Sequence, residues 1–190
     1  MSVPNPHVQY SYDDYRSLVA STDKRYELLD GEIVMVPSPA TSHQRVSRNL
    51  EFLLVTFVRA HRLGEVFYAP FDVVFGEGAA REVAQPDLVF VSSERRSIIT
   101  EHAIEGAPDL VVEILSPGSE ALDRGYKQAL YARYGVAEYW IVDPKAKVIV
   151  VYGLGPSGFE PRGRYQPQHQ FASPLFPGLR LPLEEVFRAE

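Results

Sequence analysis

No cysteine occurs among the 190 residues. A disulfide scaffold, a thiolate metal site, an iron–sulfur cluster and a cysteine nucleophile are therefore excluded. Positive charge is in deficit as well: 19 Lys and Arg against 25 Asp and Glu leave a formal net charge of −6. That balance argues against a polycation coating nucleic acid through bulk charge. It leaves room for a nuclease, because a cluster of metal-binding carboxylates itself makes a chain acidic. Long apolar runs are missing too. Stretches such as Phe52 to Val58 fall far short of the ~20 residues that span a bilayer. Met1 to Tyr10 carries neither a charged leader nor an apolar one, so the expectation is a cytoplasmic protein with no membrane partner. Phosphate-cradling loops are absent, since Gly76-Glu77-Gly78 falls in a predicted hairpin and not between strand and helix. There is no Gly-x-Ser-x-Gly elbow, and the five histidines lack zinc spacing. With no repeat, low-complexity tract or linker, the expectation is a single domain over residues 1–190, with a core at about 10–152 and a strand-rich tail over 153–190.

What is present reads as an α/β chain with a mixed central sheet flanked by helices. Ser11 is an N-cap, with Asp13 and Asp14 in the first turn of a short helix over Tyr12 to Ala20. Tyr26 to Leu29, Asp30-Gly31 and Ile33 to Val36 form a hairpin signal. Ser38-Pro39 opens a long helix whose apolar positions Val46, Leu50, Leu53, Leu54, Phe57 and Val58 keep helical spacing to about His61, with Gly64 stopping it. Val66 to Phe75 reads as one strand and Val83 to Val91 as its partner; a short helical piece is expected near Ile98. The run Leu110 to Leu115 has the composition of a central strand covered on both faces. Ser119 to Tyr134 is a helix capped by Gly135, and Glu138 to Val142 and Val148 to Tyr152 are strands.

Two acidic residues stand where packing does not want them. Glu113 interrupts the apolar run, and an ionised carboxylate there costs several kcal/mol unless it is paired or bound to a cation. Asp87, after Pro86, enters the apolar strand Leu88 to Val91. Carboxylates on adjacent strands can converge on a divalent ion, and Mg²⁺ prefers such oxygen donors. The structural alternatives are that Asp87 caps a turn and that Glu113 makes a buried ion pair with an Arg or Lys.

Pro86-Asp87 followed at a distance by Glu113-x-Leu115 resembles the PD-(D/E)XK nuclease pattern. The wider series is more specific. Tyr26 to Glu32, Ser38-Pro39 with His43, Pro86 to Val89, Pro108 to Pro117, Lys127, and Glu138 to Pro144 are similar in order and spacing to the Uma-two family of bacterial restriction-endonuclease-like proteins, over roughly Tyr10 to Tyr152. The resemblance implies a restriction-endonuclease-like core, with Mg²⁺ or Mn²⁺ held by Asp87, Glu113 and the backbone carbonyl of Ile114. It also implies a metal-dependent endonuclease that hydrolyses phosphodiester bonds in DNA. One departure matters: Leu115 stands where the pattern wants lysine.

Lys127, on the following helix, is the candidate replacement. Its ordinary alternative is a solvated lysine paired with Asp123 four residues earlier, but Asp123, Lys127 and Tyr131 form one stripe ending in an aromatic. Glu27 resembles an extra acidic residue that such nucleases contribute from their N-terminal region; otherwise it is a surface hairpin position. His43 either orients a phosphate or water or makes a local bond at its helix terminus. Asp109 reads as the residue opening its strand, and Tyr139 and Trp140 read as core. Arg45, Arg48, Arg59 and Arg62 mark one side of the long helix that either faces phosphates or is merely solvated. A homodimer is a further expectation, because cutting both strands of a duplex needs two sites and the aromatic tail offers apolar surface. The competing reading is a catalytically inactive nuclease fold that binds nucleic acid or a protein partner, encouraged by Leu115 and the acidic charge.

Overall fold

The computed structural model describes residues 9–188, so Met1 to Val8 of the stretch read for a leader lie outside the described residues. Helix α1, Tyr12–Val19, starts at a reciprocal cap: Asp14 N–H donates to Ser11 Oγ at 3.2 Å, and Ser11 N–H donates to the Asp14 carboxylate at 2.8 Å. The Asp30-Gly31 turn, both residues at positive φ, joins β1 (Tyr26–Leu29) to β2 (Glu32–Met35). Helix α2 covers Thr41–His61, and Arg62, in the left-handed region, ends it.

The two long strands expected next are each broken in the middle. Val66 to Phe75 divides into β3 (Gly64–Tyr68) and β4 (Asp72–Phe75), and Val83 to Val91 into β5 (Glu82–Ala84) and β6 (Leu88–Ser92). Pro70 and Pro86 sit at the two breaks and have no N–H to continue a ladder. Their mutual antiparallel pairing survives, with Tyr68 opposite Leu88 and Val73 opposite Ala84. The ribbon therefore crosses from one sheet into another, and Asp87 lies at the crossing.

The single central sheet expected from the sequence is thus two mixed sheets. One has the order β2-β1-β5-β4-β7, where β7 (Ala103–Glu105) is a short strand that the sequence did not announce. The other runs β11-β10-β9-β8-β6-β3, with β8 at Leu110–Ile114, β9 at Glu138–Asp143, β10 at Val148–Gly155 and β11 at Gly158–Tyr165. Between β8 and β9 runs one helical stretch in three parts: α3 (Glu120–Leu122), a π turn (Asp123–Lys127) and α4 (Gln128–Tyr134).

Alternation along β8 divides the interior. Leu110, Val112 and Ile114 join the core beneath α2, while Val111 and Leu115 join Leu130 and Tyr131 of α4. The tail closes the α2 side. Phe171, Phe176, Leu179, Leu181 and the short helix α5 (Leu183–Val186) are buried against α2 and the six-stranded sheet. The apolar tail surface expected to meet a second copy is therefore largely interior. No helix among the described residues is long and apolar enough to cross a membrane.

Candidate active site

Glu113 shares its strand face with Val111, so the period of two points it away from α2 and toward α4. The β6–β8 register, Leu88 opposite Val112, brings Asp87 opposite Glu113 one step beyond the last ladder pair. Ile114 N–H donates to Asp87 Oδ2 at 2.7 Å, and His43 Nε2 lies 3.1 Å from the same oxygen. Tyr131 OH donates to Glu113 Oε1 at 2.6 Å, and Lys127 Nζ donates to it at 3.1 Å. The described bonds thus converge on Oδ2 of Asp87 and Oε1 of Glu113.

The helix over β8 supplies the cation. Its π turn contains both Asp123 and Lys127, and both are buried; one-turn π insertions of this kind recur at functional positions in helices. Lys127 Nζ lies 2.8 Å from Glu27 Oε1, 3.1 Å from Glu113 Oε1 and 3.5 Å from Asp123 Oδ1. Glu27 is only 2% exposed. The pairing of β1 with β5 turns it inward, and Gln85 N–H donates to its Oε1 at 2.8 Å. Both bland alternatives, a surface hairpin glutamate and a solvated helix lysine, are thereby corrected.

Burial on its own would push the Lys127 amine down, but the Glu113, Glu27 and Asp123 carboxylates overcome it and hold the ammonium well above its ordinary value. Burial pushes Glu113 well up; Lys127 opposes this, and the charges of Asp123, Asp87 and Glu27 reinforce it. Asp123 is raised by burial, with Lys127 again opposing. Burial also raises the Tyr131 phenol, which stays a donor to Glu113. For His43, burial acts downward, yet the Asp87 carboxylate wins and the imidazole is raised. One ammonium faces several carboxylates, an arrangement short of positive charge.

These groups line one cleft of about 270 Å³. Its floor includes Asp87, Glu113, Glu27, Lys127, Asp123 and His43; its walls are Val36 to Pro39, the first turns of α2, and Tyr68-Ala69. His43 therefore belongs to the cleft and not to a local terminus bond. Of the four arginines singled out on α2 and its end, Arg48 lines the cleft. Asp109 stands apart: it accepts from Ser92 N–H at 2.7 Å and from Arg95 at 3.2 Å. Tyr139 and Trp140 are fully buried core. Sequence reasoning missed Arg25, Gln85 and Tyr68 as cleft residues, and saw Tyr131 only as the end of a stripe.

Among the described residues, no three His, Asp or Glu side chains form a ready metal shell. The two carboxylates of Asp87 and Glu113 are nevertheless donors of the kind Mg²⁺ takes, since it keeps several waters and seldom takes an all-protein cage. The surplus of carboxylate over ammonium is the feature of this cleft that a dication fits.

The sequence model of the Uma2 family, described as "Putative restriction endonuclease", matches residues 12–184. The crystal structure of a "putative nuclease belonging to DUF820" from Anabaena variabilis ATCC 29413 superposes on 93% of this chain and 97% of that one. The TM-score is 0.76 and the identity 21%, a likeness that establishes the fold. No curated protein matches the chain.

Proposed function

The chain belongs to the Uma2 family of restriction-endonuclease-like proteins, and from that premise we propose that it is a metal-dependent endonuclease hydrolysing phosphodiester bonds in DNA. The observation that carries the reading is the place of Lys127. Leu115 occupies the usual lysine position and is buried, while an ammonium from the π turn reaches Glu113 within 3.1 Å. A helix lysine thus stands beside the strand glutamate in place of the strand lysine, which supports the reading.

Asp87, Glu113 and the Ile114 carbonyl would hold Mg²⁺ or Mn²⁺, with Ile114 N–H and His43 orienting the Asp87 carboxylate and Tyr131 and Lys127 that of Glu113. Such an ion supplies Lewis-acid polarisation of the phosphate and a more acidic water. Lys127 orients the attacking water and offsets charge that builds on the phosphoryl oxygens during in-line displacement. Glu27 fixes the ammonium from its far side, and Tyr131 fixes the rotamer of Glu113.

Asp87→Asn and Glu113→Gln keep side-chain shape while weakening the donor set. Each is expected to cut Mg²⁺-dependent cleavage of DNA by about a hundredfold or more, with the far-UV circular dichroism unchanged. Wild-type cleavage by both variants would overturn the assignment. Calorimetric titration with Mn²⁺ separates this reading from a non-catalytic nuclease fold, for which no binding is expected.

A further inference from the structure

Resting on the nuclease reading, we propose that the substrate strand is unpaired: the cleft admits one DNA strand, and Tyr68 stacks on one of its bases. Depth is the first reason. The side chains of Glu113 and Lys127 are 5% and 6% exposed, at the floor of a space of about 270 Å³ walled by Val36 to Pro39, α2 and Tyr68. That volume is at the small end of ligand pockets. A stacked duplex carries its phosphates on a stiff cylinder with a major groove ~12 Å across, and both strands must approach together. A single strand can bend one phosphodiester down to the floor.

Charge is the second reason. Duplex binding without base contacts draws on many phosphate-facing cations. Here Arg25 and Arg48 are the arginines lining the cleft, Glu51 stands among them, and the whole chain carries −6. Affinity must come from elsewhere. Tyr68 supplies it: the last residue of β3 is 58% exposed and lines the cleft wall. Aromatic faces of this kind hold unpaired bases without regard to sequence. Arg25, held by Gln85 through a 3.0 Å bond from its Nε, is pre-set for an adjoining phosphate.

Fluorescence anisotropy in Ca²⁺ and cleavage in Mg²⁺, using labelled oligo-dT and the matching dA·dT duplex, test this. Oligo-dT is expected to bind more tightly and be cut faster than the duplex. Tyr68→Ala should weaken oligo-dT binding about tenfold, whereas Tyr68→Trp retains it. Equal or faster cutting of the duplex overturns the inference and leaves the nuclease reading standing. Unchanged oligo-dT affinity in Tyr68→Ala does the same. Failure to bind or cut either DNA overturns both.

Discussion

Lys127 holds one positive charge against the carboxylates of Glu27, Glu113 and Asp123, where none of the four side chains is more than 6% exposed. Removing a single partner from such a cluster leaves uncompensated buried charge, at a cost of about 3–5 kcal/mol. Lys127→Met should therefore lower Tm by roughly 10 °C, although methionine fills much of the same space. The loss should shrink when Mn²⁺ is added, because a bound dication restores the missing charge and stabilises the native state by mass action. Turnover in saturating Mn²⁺ should still fall by orders of magnitude, since the ammonium is absent from the transition state. Thermal melts with and without Mn²⁺, alongside DNA cleavage by the folded variant, check both halves. Metal-independent destabilisation with full turnover would make Lys127 a structural lysine only.

At the scale of elements, the hairpin over β1 and β2, helix α2 and strand β8 were legible because their cues lie within one stretch of chain: an Asp-Gly turn, a 3.6-residue apolar period, an apolar run interrupted only by Glu113. The same holds for Asp87 and Glu113, which are conspicuous because each sits in apolar sequence. What could not be read depends on partners far along the chain. Glu27 looks like an exposed hairpin residue until β5 pairs beside β1, and the division of β3 from β4 matters only once two sheets exist to receive them. The π turn leaves no mark in residue type. Buried Glu138, at the start of β9, is another long-range case: Ser173 Oγ of the tail donates to its Oε2 at 2.6 Å. Burial raises the Glu138 carboxyl, and Ser173 only partly opposes this. With the folded value above the unfolded ~4.3, its stabilising contribution is full below that unfolded value and is lost as pH rises through the folded one. Glu138→Gln cannot ionise. Its Tm relative to wild type should therefore climb as pH goes from acid to neutral, by about 2–4 °C for each kcal/mol that wild type forfeits. Parallel melting curves at all pH values would contradict the buried, proton-holding state.

For the whole molecule, the segment after β11 supplies a series of buried apolar side chains even though its sequence is proline-broken and irregular. Phe171, Phe176, Leu179, Leu181, Leu183 and Val186 are all buried in the same cluster as Leu50 and Leu54 of α2 and Leu110 and Val112 of β8. Asn49 of α2 reinforces the closure by donating to the Glu185 carbonyl at 2.9 Å. Each such side chain contributes about 1.5–3 kcal/mol on burial, so losing all six removes a gross stabilisation at least comparable with the roughly 5–15 kcal/mol net stability of a native domain. They also hold α2 against the sheet, and α2 carries His43 and Arg48 into the cleft. A chain ending after Tyr165 should therefore lose cooperative unfolding altogether, seen as a broad, shallow urea transition by circular dichroism in place of a sigmoid. Adding the missing segment as a separate peptide should restore part of the transition if the rest of the core can still form its contact surface. A truncated chain that unfolds cooperatively near the wild-type urea midpoint would show instead that the tail is an appendage, and that the two sheets and α2 hold the cleft without it.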